Sequence, residues 1–262
     1  MTAHTANALA PAQRLGRLED PGSDFPFYNG IPVGFTGWQW CALVLGVVAG
    51  FAALVWPVAW PSVPLGAMVQ ALLFVAIPLA VLARLAPGHR RVLFGRVGWR
   101  ELRLMLGFAV LNIVVSVAVG SWVQTFTEVT PNAAAAQLAA MDTLKRLAFF
   151  AKTLPQLLGE EVLTVLPFLA MLTWLTQRAG VGRRRAVLVA WLVSALLFGL
   201  MHLPTYGWNW VQCIVVIGTA RLVLTLPWIL TKNLWVSTGA HIVNDWMLFG
   251  MALAGAGLAA QT

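Results

Sequence analysis

Charge is what this sequence has least of. Only 10% of its 262 residues are Asp, Glu, Lys or Arg and just 9 are acidic, against 60% hydrophobic residues and a mean hydropathy of +0.80. That balance excludes a disordered or highly charged soluble chain and belongs to polytopic membrane proteins. Cysteine is almost missing. Cys41 and Cys213 stand in apolar stretches without CxxC or CxxH spacing, so neither a disulfide framework nor a thiolate metal site is expected, and both read as buried thiols. The zincin pattern HExxH is absent. No charged n-region leads directly into a short apolar run with a small-residue cleavage site, so no cleaved signal is expected. The final GLAAQT has no CAAX cysteine, so the chain is not itself expected to be prenylated. A net charge of +8 would suggest nucleic acid in a soluble domain. Here the arginines bunch between apolar runs as they do in cytoplasmic loops, and no nucleic-acid partner is expected.

What is present is a series of long apolar runs. Residues 1–36 read as a polar N-terminal tail ending in FPFYNGIPVGFTG, whose Pro, Gly and Asn resist a regular helix and whose aromatics suit the membrane interface. Residues 37–262 read as one all-α transmembrane domain of about seven helices, between six and eight, around an intramembrane polar site. Spans are predicted near 38–60, 62–86, 103–124, 147–176, 186–203, 208–231 and 234–257, because roughly 20 residues at about 1.5 Å rise cross the hydrocarbon. The Ala-rich segment 126–146 reads as a surface helix or loop. Trp38, Trp40, Trp56, Trp60, Trp208, Trp210 and Trp235 lie near span ends and read as interface belts.

Orientation follows from the basic residues. Arg84, Arg90, Arg91, Arg96, Arg100 and Arg103 share one connection, and Arg178, Arg183, Arg184 and Arg185 another, which predicts both to be cytoplasmic. An odd number of spans then sets the N-terminus inside and the C-terminus outside, with Lys145 and Arg146 on the outer side. The expected location is a bacterial cytoplasmic membrane. Membrane lipid and a membrane-associated peptide or protein substrate are the expected partners. Gly46 and Gly50 form a GxxxG, a spacing too common in such helices to assign an oligomeric state.

Within these spans stand Glu160, Glu161, His202, Arg221, His241 and Asp245. One ionised side chain at mid-bilayer costs about 2.5–3.5 kcal/mol even on the lenient insertion scale, so several of them need a common reason. Convergence on one wetted cavity supplies it. His241 and Asp245 are four residues apart, as are Phe198 and His202, and so share helix faces. Glu160 and Glu161 are about 100° apart on their helix, so one is expected to act and the other to be held by a partner. Pro155 and Pro167 bracket them and can loosen the backbone there. Such a set can activate water: a carboxylate with an imidazole takes the proton, and a second imidazole with an amide or acid holds an oxyanion. Glu160, His202, His241 and Asp245 are also a conceivable zinc set, so a divalent metal is the alternative to a site that requires no cofactor.

The stretches GEEVLTVLPF, FGLMHLP and AHIVNDW resemble, in order and spacing, the motifs EExxxR, FxxxH and HxxxN/D of the CAAX protease and bacteriocin-processing (CPBP, or Abi) family of intramembrane proteases, related to type II CAAX prenyl endopeptidases. The resemblance covers about residues 147–250. It implies a glutamate-dependent endopeptidase in an all-helical membrane core, with Glu160 activating water beside His202, and His241 with Asn244 or Asp245 on the oxyanion. Phe198, Glu161 and Arg221 support the site. Two departures stand out. The motif's Arg is Val165 here, and Arg221 is expected to pair with Glu161 from across the bundle instead. Asp245 stands where the prenyl-protease relatives have Asn, and an ionised Asp cannot donate to an oxyanion; it is protonated, or Asn244 takes that part, or it orients His241. Two other readings remain: a non-proteolytic scaffold or immunity protein of the same family, and a proton-coupled transporter using the acids as a relay.

Overall fold

The computed structural model describes residues 13–89 and 91–259. Its helices start where the local sequence can satisfy free backbone donors. Thr36 and Gln39 form a capping box at α1 (Gly37–Val55), while a proline in the first turn opens α2 (Val63–Leu85). The Glu101 carboxylate accepts from Gly98 N at 2.9 Å before α3 (Trp99–Gln124). Asn132 caps α4 (Ala133–Ala140) and Asp142 caps α5 (Thr143–Gln177). After α6 (Arg183–Met201) a π-helical segment (Gln212–Ile217) leads into α7 (Gly218–Thr231), and α8 spans Leu234–Ala259. No strand occurs among the described residues.

Six stretches are long and apolar enough to cross a membrane: α1, α2, α3, α5, α6 and the run Gln212–Thr231. The 26 residues of α8 reach about 39 Å and also suffice by length. The chain is therefore an all-helical polytopic membrane protein. Segment 126–146 holds the short α4.

The helices alternate in direction, so the connections gather at two ends. At one end the α2–α3 loop is tied to the α7–α8 turn by Leu234 N to Leu93 O at 2.8 Å and Gly95 N to Asn233 Oδ1 at 2.9 Å. At the other, Gln212 clasps Thr130 through both of its amide atoms, at 2.8 and 2.9 Å. Between them α5 is the most enclosed helix. It packs on α1, α2, α6 and α8 and carries a continuous buried series from Glu161 to Leu166. Its closest neighbour is set by a glycine: a Cβ on Gly159 would stand 2.4 Å from the Phe74 ring of α2.

Four expectations change. The segment that reads as an interfacial tail is packed into the protein over residues 19–35, with Phe25, Phe27, Tyr28 and Phe35 all buried. Its aromatics cover the end of the bundle, Phe25 against Phe168 of α5 at 5.2 Å between ring centroids. Arg183, counted among the loop arginines, is buried in an ionic cluster, 2.7 Å from both Glu19 and Asp24, while Lys232 reaches Glu19 at 3.0 Å. A salt-bridged arginine at a helix start holds the N-terminal segment down. Finally, Cys41 lies on the outer face of α1 and is exposed, whereas Cys213 is buried; an apolar run in a membrane helix has a lipid-facing side as well as a core side. Trp40 is likewise buried, edge-on to Phe35 at 5.0 Å.

Candidate functional site

Four helices bring their polar residues to one cavity of about 510 Å³, lined among others by Glu160, His202, Arg221, His241, Asn244 and Asp245. α5 runs unbroken through Pro155 and Pro167, each of which leaves the carbonyl four residues earlier without its usual donor. Glu160 and Glu161 point to different surroundings, as their angular offset on the helix requires. The Glu160 carboxylate faces the cavity and accepts from Gln156 Nε2 at 3.0 Å. Glu161 is fully buried.

Glu161 is held between an arginine and a histidine of other helices. Arg221 Nη2 of α7 stands 2.7 Å from Oε1, with both side chains fully buried, and His241 Nδ1 of α8 stands 2.9 Å from the same oxygen. The guanidinium is steadied by Thr225 Oγ1, which accepts from Nε at 3.2 Å, and by the Phe198 ring, 4.9 Å from its central carbon. The arginine contact is close but not aligned as a hydrogen bond: Nη1, Nη2 and Glu161 Oε2 form none within the described protein. It is a charge contact rather than an aligned hydrogen bond.

His202 caps the C-terminal end of α6. Its Nδ1 donates to the Phe198 carbonyl at 2.8 Å, which leaves Nε2 as the acceptor toward the cavity. Phe198 also packs against the imidazole, tilted, at 4.5 Å between centroids. The FxxxH spacing thus has a local cause: residue i−4 supplies both the carbonyl and the ring. The turn sits where α6 and the π-helical segment nearly touch, since a Cβ on Gly199 would come within 2.4 Å of the Cys213 carbonyl. Short π-helical stretches recur at functional sites because they displace the following side chains by one position.

His241 has its second nitrogen turned to the cavity, 3.8 Å from Glu160 Oε2 and 3.7 Å from Asp245 Oδ1. Asn244 is a bridge: its Nδ2 donates to Asp245 Oδ1 at 2.9 Å, and its Oδ1 accepts from Asn112 Nδ2 of α3 at 3.0 Å. Zinc ligands stand about 2.0–2.2 Å from a shared ion. Among the described residues no group of three or more His, Cys, Asp or Glu side chains is placed to hold one.

Asn112, Gln156, Lys152 and Tyr206 also line the cavity and escape a reading by motif. Gln156 had a signal, four residues before Glu160 on the same face, and Asn112 had a weaker one as a lone amide in an apolar span. Tyr206 lies in the turn after α6, where burial and then the charge of Asp245 push its phenol up to about 12, so it stays protonated.

Residues 142–247 match the family model described as type II CAAX prenyl endopeptidase Rce1-like. The match begins at the α5 cap and ends two residues past Asp245, and so takes in every motif quoted above. No curated protein and no solved structure gives a significant match.

Proposed function

Because residues 142–247 match the family model of type II CAAX prenyl endopeptidase Rce1-like proteins, we propose that this chain is an intramembrane endopeptidase using carboxylate-activated water. One observation carries the reading: Glu160, His202 and His241, from three helices, line one cavity, while the neighbouring Glu161 is spent on a buried ion pair. A cluster that served only to clip helices would not leave a second carboxylate and an imidazole nitrogen facing open space.

In this mechanism Glu160 takes the proton of a water that His202 Nε2 also holds, and the oxygen attacks the scissile carbonyl. Gln156 orients the carboxylate from one turn earlier. His241 is fixed by Glu161 at Nδ1 and in its Nε2–H form donates to the oxyanion. Asn244 turns Asp245 toward His241, so of the roles open to Asp245 the geometry favours orienting that imidazole. Glu160 then returns its proton to the leaving amine. No cofactor enters these steps. The substrate is a membrane-associated peptide or protein, and the location a bacterial cytoplasmic membrane with the N-terminus inside.

The test is a mutation series at normal protein level: Glu160→Gln and His202→Ala should each abolish processing of membrane-protein fragments that accumulate in a deletion strain. Processing retained in both variants would leave the scaffold reading in its place.

A further inference from the structure

The two ends of the bundle differ in charge, and the cavity lies toward one of them. Of the 17 Lys and Arg residues, Lys145, Arg146 and Lys152 belong to the end formed by α4, the start of α5 and the turn after α6, and Arg221 sits inside. Of the remaining thirteen, the twelve described ones lie in the N-terminal segment and in or beside the α2–α3, α5–α6 and α7–α8 connections, at the opposite end. Exposed tryptophans mark both boundaries: Trp38, Trp99 and Trp235 on the arginine-rich side, Trp122, Trp208 and Trp210 on the other. That pattern is an interface belt at each end.

The cavity reaches toward the arginine-poor end. Beyond its charged floor its lining continues through Asn132, Phe149, Lys152, Thr205, Tyr206 and Phe249, all at or near that end. The arginine-rich side is closed by packing. Val165, Leu166, Phe168 and Leu169 of α5 are buried one to two turns beyond Glu161, and Phe25 of the N-terminal segment closes over them, against Phe168 at 5.2 Å and Trp228 at 6.3 Å. Lys232 lies 4.7 Å over that same Phe25 ring, and Glu19 ties Lys232 and Arg183 together above it. Val165 belongs to this seal. The position that carries Arg in the family motif is here part of a dry layer, and the guanidinium has moved to α7.

Retention of short Lys- and Arg-rich connections in the cytoplasm is the dominant determinant of orientation. We infer that the cavity opens to the extracytoplasmic side, and that its substrate is a polypeptide segment presented at the outer leaflet, such as part of an exported or membrane-anchored protein. A lipidated tail held in the cytoplasm would meet the sealed, arginine-rich end. The substrate clause rests on the hydrolytic reading; the sidedness does not.

Sidedness can be read without activity. In a Cys41→Ala, Cys213→Ala background, single cysteines are placed at Thr205, beside the cavity, and at Ala179, in the α5–α6 connection, and intact spheroplasts of a bacterial host are treated with a membrane-impermeant maleimide. Thr205→Cys should label at least tenfold more than Ala179→Cys, which should label only after lysis. The reverse pattern, or equal labelling of both in intact cells, overturns the inference. If the double-alanine background is poorly made, alkaline phosphatase and green fluorescent protein fused after Ala259 replace it: active phosphatase supports the assignment and fluorescence overturns it. For the substrate, fragments that depend on Glu160 should map to extracytoplasmic segments in the membrane proteome. Cleavage sites in cytoplasmic tails overturn the substrate class. Absence of any Glu160-dependent fragment, with Thr205→Cys labelled from outside, would strike the protease reading and leave the orientation standing.

Discussion

Glu161 of α5 and Arg221 of α7 form a wholly buried ion pair at 2.7 Å. The arginine stands in for one missing from the next turn of the glutamate's own helix, where Val165 is buried instead. Moving the cation to another helix turns a local i, i+4 contact into a tertiary one. The pair therefore links helix packing to the position of His241, which bonds the same carboxylate oxygen.

Breaking that pair should be costly. Removing one partner of a buried ion pair typically costs about 3–5 kcal/mol, because the other charge stays desolvated. Arg221→Leu and Glu161→Leu should each lower the thermal unfolding temperature in detergent by many degrees, and Glu161→Arg combined with Arg221→Glu should recover part of the loss. A double variant no better folded than either single charge reversal would sink the pairing.

Asp245 should tolerate loss of its charge better than loss of its polarity. Asp245→Asn keeps a group able to accept from Asn244 and to face His241 Nε2, and is expected to retain activity within about tenfold, or about 1.4 kcal/mol. Asp245→Leu should lose at least 100-fold with folding unchanged. Equal activity of the two variants in a peptide-cleavage assay would contradict an orienting role.

Acid should loosen the N-terminal segment. Burial by itself would raise the Glu19 carboxyl, but bonding to Arg183 and the charge of Lys232 outweigh it and bring the group from 4.5 down to about 2. A depressed folded value means that the stabilisation is fully present above 4.5 and is lost as pH falls toward 2. Limited proteolysis near residues 13–35 should accelerate over that interval, and Glu19→Gln should be cut rapidly already at neutral pH. A cleavage rate independent of pH in both proteins would count against the cluster as the latch.

Gly199→Ala should disturb the site without touching a polar residue. The added methyl would meet the Cys213 carbonyl at 2.4 Å, so α6 and the π-helical segment must separate, at a cost of about 1–3 kcal/mol. Activity should fall more than stability, since His202 is three residues on. Wild-type activity at a wild-type unfolding temperature would show that the contact is soft.

Chelation tests the cofactor expectation directly. Activity of purified protein should survive prolonged EDTA treatment, with elemental analysis showing no stoichiometric zinc. Loss of activity that added zinc restores would assign Glu160, His202, His241 and Asp245 to a metal instead.

Much of the site was legible because its residues are expensive. Glu160, Glu161, His202, Arg221, His241 and Asp245 stand out against apolar runs, and helical spacing pairs His202 with Phe198 and His241 with Asp245 before any coordinates. Asn112 and Gln156 were harder, since a lone amide in a span carries little of that cost. The N-terminal segment was misread for a related reason: Phe25, Phe27 and Phe35 have the composition of an interface belt, and only their contacts distinguish protein from lipid as the apolar surroundings. Arg183 shows the converse, a residue whose charge pattern says loop and whose partners make it core.

Composition and spacing by themselves determined that this chain is an all-helical membrane protein with an intramembrane Glu/His site, because the bilayer penalises every charge that lacks a reason. Tertiary structure decided that the expected Glu161–Arg221 pair closes at 2.7 Å beside His241, that residues 19–35 close one end of the bundle, and toward which end the cavity reaches. Those outcomes depend on distances between helices far apart in the chain, and helical periodicity fixes only the face of a helix, not the neighbour that face will meet.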